Sequence, residues 1–370
     1  MAAVPRIGPM TEEMTRIRAC LEGIPAYVPG KPAPAESAKL SSNESPFPPL
    51  PAMRDAVVAE VDGLNRYPDA ASVALRTALA EKHGVDWTQI HVSTGASSVL
   101  GEILRAVAGA GDEVVFPWRS FELYPIIVQS HGCDQVRVPL TEDHRVDLDA
   151  IADAITDRTR LVFLCTPNNP SGTCATTEEL RSFLQRIPSD IAVCLDEAYG
   201  EFAGDLHPDA GALFREFGNV VRLKTFSKVH GIAGLRLGYA IAHPKLAAAL
   251  GLVTMPFAAN TLAQAAAVAA LEPAAAAELQ ERVEFVIAER QRIVEALELD
   301  LPACGGNFVF LPLAERSGEF ADFARERGLV VRAYGTDGAR ISIGTAEEND
   351  RTIAVVGEWF ASAPSDSLIP

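Results

Sequence analysis

Six cysteines are present, but no two stand in a Cys-x-x-Cys spacing: Cys20, Cys133, Cys165, Cys174, Cys194 and Cys304 are scattered. Several fall in apolar, strand-like runs, where a buried free thiol is the expected state. The seven histidines form no His-x-x-x-His or His-Glu-x-x-His pattern, so no metal site is expected. Positive charge is also scarce. With 32 Lys and Arg against 49 Asp and Glu, the net charge is −17, which disfavours nucleic acid or an anionic membrane as a partner. An anionic ligand must then be held by a few local donors rather than by the overall field. No internal repeat or low-complexity tract occurs, and Met1-Ala2-Ala3-Val4-Pro5-Arg6 leads into no apolar run of the signal-peptide kind, so the cytoplasm is the expected compartment. Residues 246–271 carry no charge over more than a membrane span's length. They are rich in alanine, however, and include Pro256, Asn260, Thr261 and Gln264. The break at Met255-Pro256-Phe257 predicts a buried helix, a turn and a second buried helix, with no membrane anchor.

What is there is ordinary globular composition, 48% apolar and 22% charged, over 370 residues, a length that favours two domains. Met14, Ile17 and Leu21 predict a short amphipathic helix over 11–23. The proline-rich run from Pro25 to Pro34 reads as extended, and Ser41 to Pro51 as irregular, so the first 50 residues resemble an arm lying over something else. Helix-like 72–83 then opens an alternation of helices with seven short apolar strands, at 90–93, 113–116, 135–138, 161–165, 191–195, 220–223 and 236–241. Near-continuous apolar strands between helices predict an α/β fold with a mostly parallel seven-stranded sheet covered on both faces. A charged helix from Glu278 to Leu297 opens a region with fewer strands. The expected division is an arm (1–40), a large domain (41–272) and a small α+β domain (273–370).

The chemistry-bearing residues fall at strand ends, where open α/β sheets bind ligands. Lys228 follows a small hydroxyl residue in Lys224-Thr225-Phe226-Ser227-Lys228, and Arg236 lies in Gly234-Leu235-Arg236-Leu237-Gly238-Tyr239. A lysine amine beside a hydroxyl and an arginine is what a pyridoxal phosphate site requires, although Ser-Lys alone is a common dipeptide. Thr94-Gly95-Ala96-Ser97-Ser98 joins a strand to a helix with residues small enough for a phosphate to approach the backbone; an ordinary strand–helix turn has the same look. Thr166-Pro167-Asn168-Asn169-Pro170-Ser171-Gly172 can aim an amide at a ring oxygen or form a plain turn. Asp196 ends a buried strand, where a carboxylate can keep a pyridine nitrogen protonated or cap a helix; Tyr199 follows within hydrogen-bonding reach of the same ring. Arg340 heads a late strand, its fork suited to an α-carboxylate or simply to the rim.

Asn-Pro-Ser-Gly, Asp-Glu-Ala-Tyr, Ser-Lys and Gly-Leu-Arg-Leu-Gly-Tyr, in this order and spacing, resemble the fold type I aminotransferases. Over nearly its whole length the chain resembles their histidinol-phosphate branch, through Asn65-Arg66-Tyr67-Pro68 and Gly305-Gly306-Asn307-Phe308. Ala26-Tyr27-Val28-Pro29-Gly30-Lys31 and Phe116-Pro117-Trp118-Arg119-Ser120-Phe121 are similar to actinobacterial aromatic aminotransferases. The resemblance implies pyridoxal 5′-phosphate as cofactor, carried on Lys228, which also moves the substrate proton. It implies Asp196 on the ring nitrogen, Tyr199 and Asn169 on the ring oxygen, and Phe121 on the ring face. Gly95, Ala96, Ser97, Ser227 and Arg236 would hold the phosphate. Tyr67 would reach the cofactor of a second subunit, which makes a homodimer part of the site. Arg340 would take the substrate carboxylate, Tyr27, Asn307 and Arg332 would line the side-chain pocket, and Asn43, Asn169 and Phe257 would also bind the substrate. Histidinol-phosphate enzymes usually carry tyrosine where this chain has Phe121, and often where it has Phe257. The lost hydroxyls favour an aromatic amino acid by about 1–3 kcal/mol per contact, with 2-oxoglutarate as the acceptor. Histidinol phosphate, a related decarboxylation and a regulatory cofactor-binding role are the alternatives.

Overall fold

The computed structural model describes residues 17–24, 26, 37–298 and 300–362. After β1 (Ala38–Lys39) and α1 (Pro51–Glu60) come α2 (Val73–His83), β2 (Ile90–Ser93), α3 (Ala96–Val107), β3 (Glu113–Trp118), α4 (Leu123–His131) and β4 (Asp134–Pro139). The alternation continues through α5 (Leu148–Asp153), β5 (Thr159–Cys165), α6 (Thr177–Arg186), β6 (Ala192–Asp196), α7 (Ala210–Glu216), β7 (Val220–Thr225) and β8 (Gly238–Ile241). These seven strands, from β2 to β8, form one sheet in the order β2-β8-β7-β6-β5-β3-β4. Only β8 runs against its neighbours. The central strands lack polar alternation because helices cover both faces: Leu161 to Cys165 and Ala192 to Asp196 are buried throughout. Each predicted strand is present, shifted by at most two residues at an end.

One direction for β2, β3, β5, β6 and β7 puts their carboxyl ends on a single edge of the sheet. The reversed β8 brings its start to that same edge, Gly238 pairing with both Ser93 and Thr225. A side chain at Gly238 would stand 2.2 Å from the Ala96 backbone nitrogen, so this glycine lets the turn after β2 lie down on β8.

Then follow α8 (Pro244–Val253), α9 (Thr261–Leu271), α10 (Pro273–Ala296), β9 (Phe308–Leu311), α11 (Ser317–Glu326), β10 (Leu329–Val330), β11 (Arg332–Ala333), β12 (Ala339–Ser342) and α12 (Ala346–Ser362). Strands β11, β12 and β9 make a second, antiparallel sheet. A separate apolar cluster built on Val283, Phe308, Phe320, Val356 and Trp359 lies against it. The arm joins this cluster through Ala38 and Leu40, with β1 pairing in parallel with β10.

Four readings need correction. The helix expected over 11–23 is, in its described part, one tight turn at Ala19–Leu21 that buries nothing, and the left-handed Gly23 ends it. The rest of that segment and most of Pro25 to Pro34 fall outside the described residues. Helix α1 was not anticipated, because it buries only Met53 and presents no amphipathic stripe. The charged helix begins at Pro273, not Glu278, since proline fits the first turn of a helix. Finally, α9 is buried through Ala263, Ala266, Ala267 and Ala270, whereas α8 is buried only in part: Ala247 and Leu250 join the core, but Leu252 is 87% exposed and Met255, just after the helix, 74%.

Candidate active site

A cavity of about 260 Å³ opens on the shared edge of the main sheet. Ala96, Ser97, Phe121, Asn169, Asp196, Tyr199, Ser227, Lys228, Arg236, Arg332 and Arg340 all line it. Most of these residues meet because they end, follow or precede strands at that edge, whereas Arg332 and Arg340 are brought in by β11 and β12 of the second sheet.

Asp196 is the last residue of β6 and is buried. Its carboxylate accepts from Tyr124 Oη at 2.9 Å and from the Ala198 amide at 3.1 Å. Burial raises its pKa from 3.8 to about 6, against the pull of those two bonds. Tyr124 lies one helical turn beyond Phe121, on the inward face of α4. Its neighbours in sequence gave no sign of the role.

Lys228 Nζ donates to the Asn43 carbonyl at 3.0 Å and the Ser42 carbonyl at 3.3 Å. Its ammonium stands 5.6 Å from the Tyr199 ring centroid. Burial, together with the Arg340 and Arg236 charges, lowers this amine from 10.5 to about 7, Glu44 acting the other way. An amine there can give or take a proton near neutrality.

At the opposite end, the Arg236 guanidinium reaches the Ser227 hydroxyl at 3.5 Å and lies on Gly95. Gly95 has φ 79° and ψ 157°, a conformation confined to glycine, and a Cβ there would stand 2.7 Å from Arg236 Nη2. The first amides of α3 follow directly. Backbone N–H groups, a hydroxyl and a guanidinium around one point make a phosphate cradle.

Arg340 is buried on β12. It donates to the Asn169 side-chain oxygen and, at 2.9 Å, to the Ser41 carbonyl, while its Nε has no partner among the described residues. Because a guanidinium only donates, this bond fixes the Asn169 amide with its NH₂ turned away from Arg340. Among the described residues no carboxylate pairs with Arg340. A buried, unpaired cation is costly, and an incoming carboxylate relieves it. The Tyr199 hydroxyl accepts from the Asn43 side chain at 3.0 Å, and burial pushes its pKa up.

Several expected residues lie elsewhere. Asn43 is fully buried, its amide spent on Tyr199 and on the Ser342 hydroxyl at 2.9 Å, so it orients Tyr199 and does not face the cavity. Asn307 is buried behind it and donates to the Asn43 carbonyl at 3.2 Å. Phe257 stacks on Tyr67 at 4.4 Å, and Tyr67 is 81% exposed, so neither touches this chain's own cavity. Tyr27 lies outside the described residues. Ser41, Ser42, Glu122 and Tyr334 line the cavity without having been anticipated. The two serines act through backbone carbonyls, which no side-chain pattern discloses.

Residues 35–356 match the family model of aminotransferase class I and II. The chain is 49% identical to the aromatic amino acid aminotransferase of Streptomyces avermitilis, over 92% of this chain and 96% of that protein. It is likewise 49% identical to the enzyme of that name from Rhodococcus jostii, over 92% and 94%. Among solved structures, histidinol-phosphate aminotransferase from Sinorhizobium meliloti in complex with pyridoxal-5′-phosphate superposes with a TM-score of 0.84, at 29% identity, over 95% of this chain and 99% of that one. A buried carboxylate, an amine held near neutrality and a phosphate cradle in one cavity are the donor set that this cofactor needs. The chain belongs to the class I and II aminotransferases, enzymes that use pyridoxal 5′-phosphate.

Proposed function

We propose that the enzyme moves an amino group between an aromatic L-amino acid and 2-oxoglutarate, working in the cytoplasm as a homodimer. The observation that carries the substrate choice is Arg332 in the cavity wall. Glu122 already grips it with both carboxylate oxygens, at 2.8 and 3.0 Å. With that charge cancelled and Phe121 beside it, the wall suits a ring better than a side-chain phosphate. The names of the relatives support the same reading.

When bound, the cofactor supplies an aldehyde that takes up the amino group and a ring that spreads the charge left at Cα. The protein's part is to hold and to move protons. Asp196 would face the ring nitrogen and favour its protonated form. Lys228 Nζ would carry the cofactor and, once freed by substrate, would serve as the base that moves the Cα proton. Arg340 would hold the α-carboxylate, and Asn169 and Tyr199 would bond the ring oxygen. Ala96, Ser97, Ser227 and Arg236 would hold the phosphate. Tyr67 belongs to the neighbouring subunit's site: Leu64, Leu252, Met255 and Phe257 are exposed as well, an apolar surface that a second copy would cover. The proposed boundaries remain 1–40, 41–272 and 273–370.

Adding phenylalanine to the purified holoenzyme is expected to shift the cofactor absorbance to that of the amine form, and 2-oxoglutarate to restore it. Silence with every aromatic amino acid would overturn the reading. Gly95→Ala is expected to weaken cofactor retention about tenfold and to destabilise the fold by about 1–3 kcal/mol, through the forbidden φ and the displaced Arg236. Cofactor titration and thermal melting check both.

A further inference from the structure

Glu122 sits at the start of α4, directly after Phe121, and its carboxylate faces Arg332 on β11. Three contacts hold the pair, Arg332 Nε to Oε2 at 3.2 Å and Nη2 to both oxygens. Neither side chain is deeply buried, at 16% exposure for Arg332 and 26% for Glu122. A second cavity, of about 290 Å³, lies on the far side. Among the described residues, Glu122 and Arg332 are the two common to both linings, so the ion pair stands in the partition between them.

The second cavity is basic. Arg119 and Arg137 line it, with their guanidinia at 4.5 and 4.7 Å from the Trp118 ring. Burial, and then the Arg119 charge, pulls the Arg137 pKa down. Asp337 pairs with Arg119 at 2.7 Å, whereas Arg137 has only the neutral Gln135 oxygen among the described residues. A carboxylate turned into this space would meet a guanidinium that lacks a counter-charge. Glu122 therefore has two places to go, Arg332 or the Arg137 side.

Arg332 also has two roles open to it. It is the cross-strand partner of Arg340, and the two guanidinia lie 5.9 and 5.5 Å from the same Tyr334 ring. A diacid whose first carboxylate is on Arg340 can thus bring its second to Arg332. The reaction proposed above requires one cavity to accept both an apolar ring and such a diacid.

Resting on that reading, we propose that Glu122 determines specificity as the exchangeable counter-ion of Arg332. With an aromatic side chain in place, the pair stays closed and presents a neutral wall, so no charge is stranded against the ring. With a distal carboxylate in place, the ligand takes Arg332 and Glu122 turns toward Arg137. Because one carboxylate replaces another, Glu122 holds affinity for diacids below what Arg332 alone would give.

The test uses two unreactive ligands that share the α-carboxylate and differ at the far end, glutarate and 3-phenylpropionate, titrated calorimetrically into holoenzyme. Glu122→Gln is expected to tighten glutarate about tenfold or more and to weaken 3-phenylpropionate, because the Arg332 charge then faces the ring uncancelled. Arg332→Gln is expected to weaken glutarate by a similar factor, and the double variant to lose the gain that Glu122→Gln produces. Equal changes for both ligands in Glu122→Gln, or a gain that persists in the double variant, would overturn the proposal. Should Glu122→Gln not fold, Arg332→Gln decides alone: unchanged glutarate affinity overturns it. Failure of the aromatic reading looks different. The native enzyme would then neither bind 3-phenylpropionate nor respond to phenylalanine, while the glutarate response to Glu122→Gln would still be measurable.

Discussion

Lys228→Ala is expected to lower turnover by at least about 10⁴-fold, the upper end of what one positioned proton-transfer group supplies. Nothing else in the cavity can substitute. The remaining cations lining it are Arg236, Arg332 and Arg340, and a guanidinium does not give up a proton near neutrality. Tyr199 is held protonated by burial, and its hydroxyl already accepts from Asn43. Removing the amine also removes the covalent attachment, so the absorbance of the internally bound cofactor should vanish. The phosphate cradle remains, because Arg236 and the turn after β2 make no contact with Lys228 Nζ. The variant should therefore still bind the cofactor, now reversibly. Persistence of either the bound-form absorbance or steady turnover would remove Lys228 from the centre of the mechanism. Small external amines supplied at high concentration are expected to restore part of the rate, since the vacated space faces the cavity.

The main sheet was legible because its strands obey one rule. Buried on both faces, they read as short apolar runs between helices, and seven runs gave seven strands. The residues at their ends were legible for the same reason, since a polar group directly after such a run must lie at the sheet edge. Legibility failed where position depends on something other than strand periodicity. Asn43 has the chemistry of a substrate contact, but Tyr199 and Ser342 claim its amide from elements about 150 and 300 residues away in sequence. Phe257 has the chemistry of a pocket wall, yet its left-handed backbone, at φ 61°, turns it out onto Tyr67. Glu122 passed unnoticed because a glutamate at a helix start needs no special explanation. Only the pairing with β11 gives it a partner.

Asp196→Asn is expected to lower turnover about 10³-fold, the scale of losing one preorganised charge from a dry site, while making the cofactor-free protein more stable above pH 6. The two effects have a single origin. In the folded apoprotein burial raises this carboxyl from 3.8 to about 6. Below pH 4 it is protonated both folded and unfolded, and its ionisation costs the fold nothing. As pH rises from 4 to 6 the unfolded chain releases the proton and the folded chain keeps it, so stability falls. Above pH 6 the apoprotein holds a buried carboxylate at a cost of about 3 kcal/mol. Neighbouring Glu197 escapes this fate. It is equally buried, but Lys224 and Arg222 overcome the burial and hold its carboxyl well below the usual range. Among the described residues Asp196 has no ion-pair partner, only the weaker pull of the Lys228 charge, and a cationic ring nitrogen would supply one. Asparagine keeps the shape and the Tyr124 bond but carries no charge, so the cost disappears along with the function. Urea unfolding of the cofactor-free proteins should show the variant ahead by about 1–3 kcal/mol at pH 8 and level with the native chain at pH 4. A variant less stable than the native apoprotein at pH 8 would mean that Asp196 serves the fold, and the assignment of its charge to the cofactor would fall with it.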